Sequence, residues 1–190
     1  VLEVEKPQFT SVAVFMDKEE VGSMGNTGAQ SRMLKNFLAQ LMDATQEGFD
    51  QLKLNKCLTN GKALSADVTN AIDPDYTDVS DKLNSAYLGM GVALNKYTGS
   101  RGKSGASDAH GEFMAYIRRL LNKNGIPWQV AELGKVDHGG GGTIAQFLAN
   151  EGMDVVDCGV PLLCMHAPLE ISSKGDVYAT YKAYKAFFIN

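Results

Sequence analysis

At 190 residues and 20.5 kDa, 44% hydrophobic and 21% charged, with 20 glycines against 5 prolines, the chain has the composition of one ordinary globular domain, which excludes disorder and collagen-like sequence. Eighteen Lys and Arg against 22 Asp and Glu give a net charge of −4 and a pI near 5.4, with no basic stripe to follow a phosphate backbone, so no nucleic-acid partner is expected. There is no run of about 18 apolar residues and no basic-then-apolar leader, so the chain is expected to be cytoplasmic, with no membrane span.

Cys57, Cys158 and Cys164 share no CxxC spacing, which argues against a disulfide framework or a zinc knuckle and predicts reduced thiols, mostly in the core. Val1 stands first instead of Met and leads quickly into a strand-like run, so a longer parent chain is expected.

In chain order, Phe9 to Met16 is β-branched, aromatic and apolar at most positions, the pattern of a strand buried on both faces. Met33, Leu34, Phe37, Leu38 and Leu41 lie at helical spacing after the glycines at 22, 25 and 28, predicting an amphipathic helix whose stripe faces a sheet. Lys62 to Val68 reads as a short strand running into a loop with Asp73, Pro74 and Asp75. Gly89 to Leu94 is a further strand, and TGSRGKSGAS a loop.

Ser107 is the expected N-cap of a helix carrying Phe113, Tyr116, Ile117, Leu120 and Leu121, stopped by Gly125 with Pro127 beyond. Trp128 to Leu133 predicts a strand, Thr143 to Asn150 a short helix, and Val155 to Gly159 a strand. Val177 to Phe188 predicts a last helix, capped near Ser172 or Ser173. Strands alternating with helices, and apolar without a period of two, predict a three-layer α/β/α arrangement around a mostly parallel sheet.

In open α/β sheets ligands gather beyond the carboxyl ends of strands, so polar residues at those points are the candidates. Glu19 and Glu20 follow the first predicted strand, Asp67 closes KALSAD, and His166 lies in CMHAPLE beyond VVDCGVPLL. Adjacent carboxylates repel, and a cation relieves the repulsion; on an extended or turning backbone Glu20 can bind a metal while Glu19 faces a water as general base. The opposing reading is a solvated charged turn at residues 17–20.

For Asp67 the alternative to a hard oxygen ligand is a turn-forming Asp, and for His166 it is a core or surface histidine. Glu170 either orients His166 or opens the next loop. His138 and Gly139 to Gly142, followed by Thr143 and a helix, form a turn that either binds an anion or lets backbone cross closely; neither GxGxxG nor GxxxxGK[ST] is present, which disfavours a nucleotide. Lys103 is an exposed loop lysine or an anion contact, and His110 faces solvent.

DKEEVGSMGNTGAQS, SADVTNAIDPDY, the GTI after the glycine run and CMHAPLEISSKGDVYATYKAYKAFF together resemble the aspartyl aminopeptidase and aminopeptidase I family of dinuclear zinc exopeptidases. The likeness runs in order across nearly the whole chain. It implies that Glu19 is the general base, that Glu20, Asp67 and His166 are zinc ligands, and that His138, Gly141, Gly142 and Thr143 lie near the substrate.

The implied reaction is removal of the N-terminal residue, acidic or neutral, from a peptide by two zinc ions, with cobalt or manganese as substitutes. Peptide substrates and a homo-oligomer, dodecameric in form, are implied as partners.

The departure is that the family's bridging carboxylate, one further histidine and an inserted oligomerisation domain lie upstream of DKEE. Here only 16 residues precede Asp17, with Glu3 and Glu5 their only carboxylates and no histidine. Residues 1–190 are therefore expected to be the C-terminal part of a single zinc-aminopeptidase catalytic domain. The competing expectation is a non-catalytic binding or assembly module that keeps the fold.

Overall fold

The computed structural model describes residues 7–101, 104–135 and 137–189; Glu3, Glu5 and Lys103 fall outside them. Five α-helices and nine strands follow one another along these residues: α1 (Met33–Thr45), α2 (Gln51–Thr59), β1 (Lys62–Ser65), β2 (Thr69–Asn70), β3 (Val92–Asn95), β4 (Tyr97–Ser100), β5 (Ser104–Asp108), α3 (Gly111–Lys123), β6 (Trp128–Val130), α4 (Ala145–Asn150), β7 (Asp154–Gly159), β8 (Pro161–Leu163), β9 (Ile171–Ser172) and α5 (Lys174–Ile189).

The principal sheet has the order β1-β7-β3-β6. β1 runs parallel to β7 with Ser65 opposite Asp157, β6 runs parallel to β3, and β3 is antiparallel to β7 with Leu94 opposite Cys158. The mixed α/β class with a mostly parallel main sheet is as expected. A smaller sheet, β2-β8-β9, and the hairpin β4-β5 complete the strands.

Successive strand residues point to opposite faces, and the two faces of this sheet differ in chemistry. On one, Val92, Leu94, Val156 and Cys158 join Phe113, Ile117, Leu120 and Leu121 of α3 and Ala179, Ala183 and Ala186 of α5 in a single core. The three alanines recur every three or four residues, so α5 approaches closely along a smooth stripe. The other face carries Ser65, Asn95 and Asp157, and Thr143, just ahead of α4, donates to Asp157 Oδ2 at 2.9 Å. Helices therefore lie on both faces.

α5 is also tied from its first turn. Asp176, 1% exposed, accepts from the backbone N–H groups of Gly89 at 2.7 Å and Gly91 at 2.8 Å, and Ser173 caps the helix by accepting from Asp176 N at 3.4 Å. Asp176→Ala removes both acceptor contacts and leaves the buried Gly91 N–H without its partner. It is expected to cost about 2 kcal/mol or more, lowering the thermal midpoint by roughly 5 °C, as read by scanning calorimetry.

Several expectations are corrected. Phe9 to Met16 is not a strand: no described strand pairs with it, and Phe15 is 96% exposed. Apolarity without a ladder partner does not make a strand. The α1 stripe does not face the sheet either; no α1 residue is buried, and the helix lies beside α2, with Lys35 paired to Glu151 at 2.7 Å.

Of TGSRGKSGAS, residues 98–100 and 104–107 lie in the paired strands β4 and β5 and not in a loop, and with Ser107 in β5 the α3 cap passes to His110, whose Nδ1 accepts from Phe113 N at 3.4 Å. His110 is solvent-facing, and its pKa is raised by hydrogen bonding to Asp154 and then Glu112. The run VVDCGVPLL divides at Val160 into β7 and β8, which belong to different sheets. Of the cysteines only Cys158 is core; Cys57 and Cys164 are exposed.

Candidate metal centre

Glu19 and Glu20 sit in a single 3-10 turn, Glu19–Val21, within a loop folded tightly on itself. Ser23 N donates to Lys18 O at 2.7 Å, Gln30 N to Ser23 O at 3.1 Å, and Thr27 Oγ1 to the Asp17 carboxylate at 2.7 Å. These bonds hold the two glutamates in place although the loop has little buried apolar surface. Lys18, next to Glu19, adopts a left-handed φ of 63°, and His166 one of 66°. Such backbone is sparsely populated by non-glycine residues and persists where surrounding structure imposes it.

Asp67 follows β1, with its carboxylate accepting from Val68 N at 2.7 Å. Its path leaves no room at Gly159: a Cβ there would lie 1.4 Å from Asp67 O. His166 lies in the turn between β8 and β9, and Glu170 Oε1 accepts from its backbone N–H at 2.6 Å. Glu170 thus orients the His166 backbone and not the imidazole.

Three separate segments converge here. His166 Nε2 lies 3.5 Å from Glu20 Oε2, with side chains 64% and 73% exposed. Burial raises the Glu19 pKa, helped by the charges of Asp67 and Glu20 and opposed by His166; burial also raises that of Asp67, against the Val68 hydrogen bond, with Glu20 adding to the rise. Glu19 and Asp67 thus both feel Glu20 and His166.

An exposed Glu–His pair contributes little to stability by itself. Two carboxylates and an imidazole gathered beside a third carboxylate instead have the chemistry of a cation site, and oxygen with nitrogen donors suits zinc. In arrangement they are a pair plus neighbours, since no group of three His, Cys, Asp or Glu among the described residues is set to hold a metal. The donor types suit zinc, while of these side chains only Glu20 and His166 form a pair within 4 Å.

The glycine turn makes close backbone crossings. A Cβ at Gly140 would meet Gly99 O at 2.4 Å and Leu133 O at 2.7 Å, and one at Gly142 would meet Gly105 O at 2.6 Å, so the turn threads past the β4-β5 hairpin. His138 borders an open cleft of about 420 Å³ with Asp78, Val79, Lys135 and Gly139, none of which belongs to the Glu20–His166 group. Thr143 reaches toward that group through Asp157, whose pKa is pushed up to about 6, chiefly by burial and against the neighbouring hydroxyls, with the Asp67 charge adding to the rise. Asp157 was not anticipated; the available sign was a carboxylate inside the apolar run VVDCG.

The family model for aminopeptidase I zinc metalloproteases (M18) matches residues 2–188. The chain belongs to the M18 family. A probable M18 family aminopeptidase 1 from Clostridium acetobutylicum is 55% identical over 189 residues, 100% of this chain and 40% of that protein. The crystal structure of aminopeptidase I from the same organism superposes with a TM-score of 0.88 at 53% identity, over 100% of this chain and 40% of that one. The S. cerevisiae mApe1 dodecamer gives 0.74 at 25% identity, over 91% and 36%. The M18 chain described here thus spans about 40% of the length of the curated relatives it matches. No helix among its described residues is long and apolar enough to cross a membrane.

Proposed function

We propose that this M18 chain supplies the C-terminal part of a catalytic domain that removes the N-terminal residue from peptides. The meeting of Glu20 and His166 at 3.5 Å beside Asp67 and Glu19 carries the proposal. Glu20, Asp67 and His166 would hold zinc, in a two-zinc site completed by ligands beyond these three. Bound there, zinc would supply Lewis acidity to the carbonyl of the first peptide bond.

Glu19, one position from Glu20 and outside the imidazole pair, takes a proton at its carboxylate from the attacking water and passes it to the leaving amine. The turn at 141–143, linked to Asp157 through Thr143, would border the substrate path, while His138 lines a separate cleft. A homo-oligomer, as in the yeast dodecamer, is the proposed assembly.

The full-length protein is expected to release N-terminal residues from peptides, to lose that activity to a chelator, and to regain it with zinc. Glu20→Ala and His166→Ala are each expected to lower zinc affinity, read by elemental analysis after dialysis, by at least about tenfold. Normal zinc content in both variants would remove the ligand roles.

A further inference from the structure

Beneath Asp67 lies a row of buried polar side chains that metal binding does not by itself account for. Ser65, Asp157 and Asn95 are neighbours across β1, β7 and β3, all buried, with Asp157 5% exposed. Asn95 Nδ2 donates to Thr69 Oγ1 at 2.9 Å, so the residues two before and two after Asp67 both belong to this row. On its other side Asp157 Oδ2 receives Thr143 Oγ1 at 2.9 Å, and Thr143 Oγ1 in turn accepts from Ala145 N at 3.3 Å.

The hydroxyls of Ser65 and Thr98 lie near enough to the Asp157 carboxylate to hold its pKa down against burial. Neither closes a hydrogen bond within 3.5 Å, which leaves Asp157 Oδ1, Ser65 Oγ and Thr98 Oγ1 buried without partners.

A buried carboxylate with one oxygen unsatisfied is a poor source of stability, because its desolvation exceeds what one hydroxyl returns. Its position explains it better: it stands opposite Ser65, on the strand leading to Asp67, and accepts from Thr143, at the end of the glycine turn. Hydrogen bonds around a site are often long without substrate and tighten when it is filled. The Ser65 and Thr98 hydroxyls beside the Asp157 carboxylate fit that pattern.

We infer that Asp157 is a positioning residue, which holds the Asp67 segment (65–69) and the glycine turn ending at Thr143 in one fixed frame. The inference rests on the reading of Asp67 as a zinc ligand, but the frame itself is physical and can be measured without catalysis.

The test uses the full-length protein and two readouts, amide hydrogen exchange by mass spectrometry and zinc affinity by chelator competition. Asp157→Asn keeps the shape but places an amide against the two hydroxyls. It is expected to speed exchange at least about tenfold in both 65–69 and 139–144 while leaving α3 unchanged, and to weaken zinc about 10–100-fold.

Thr143→Val is expected to speed exchange in 139–144 and, through Asp157, in 65–69, whereas Thr143→Ser, which restores the hydroxyl, returns both segments to within about twofold of the parent. Faster exchange confined to 139–144, or a uniform rise that tracks a lower thermal midpoint, overturns the frame. Should Asp157→Asn not fold, Thr143→Val decides alone, and an unchanged 65–69 segment refutes the inference. Should the parent protein bind no zinc, the proposed function fails, while the exchange result still decides the frame.

Discussion

Glu19→Gln in the full-length protein is expected to lose about 10²–10⁴ in peptidase turnover while keeping its zinc. The reason lies in how two adjacent glutamates are presented. Glu20 meets His166 Nε2 at 3.5 Å, while no hydrogen bond or ion pair engages the Glu19 carboxylate among the described residues. Glu19 is half-buried and its neighbour is exposed, so one short turn places the two carboxylates in different surroundings.

Glutamine preserves the size and polarity of Glu19 and removes only the ability to take a proton. Steady-state kinetics with a chromogenic aminoacyl substrate, combined with elemental analysis, separates the roles. Lost turnover with zinc retained supports a general base. Zinc lost together with turnover makes Glu19 a ligand, and retained turnover removes it from the chemistry.

Gly159→Ala is expected to be the most damaging single substitution near the site. An added Cβ would lie 1.4 Å from Asp67 O and 2.5 Å from Asp67 C, and both are backbone atoms that cannot swing aside. Gly159 is not among the glycines with positive φ, so the obstacle is room and not conformation. Either the 65–69 segment moves away from β7 or the domain does not close. The expected cost exceeds about 4 kcal/mol, beyond what ordinary substitutions produce. Thermal unfolding checks it: a fall of less than about 5 °C with zinc content intact would mean that Asp67 does not lie against β7 as described.

The readable parts of the fold share one property, that local chemistry and tertiary use agree. α3 carries its apolar residues on one face and ends at Lys123, just ahead of Gly125 and Pro127, and the same apolar residues build the core. β7 was legible as an apolar run, and Ser173 as a cap. Where local pattern and use diverge, the sequence misleads. Phe9 to Met16 has a strand's composition, but pairing depends on a neighbour that composition does not name. The β4-β5 hairpin is built from Ser, Gly and Thr without apolar alternation, and α2 has no broad apolar stripe to mark it beyond the Asp50 cap, which accepts from Lys53 N at 2.7 Å.

The candidate site divides in the same way. Glu19, Glu20, Asp67 and His166 stand at strand ends or tight turns, where polar residues announce a ligand, and the structure brings them together. His138 sits on a different cleft, because the glycine turn is spent on crossing the β4-β5 hairpin. Asp157 stayed hidden because an aspartate inside an apolar strand announces nothing until the strands beside it are known.

The most direct test of the central assignment is an anomalous difference map, at the zinc absorption edge, from crystals of the zinc-loaded full-length protein. The expected result is zinc within about 2.0–2.2 Å of Glu20, Asp67 and His166, with the Glu19 carboxylate outside that coordination shell. Zinc bound elsewhere, or bound by Glu19 in place of Glu20, would contradict the account.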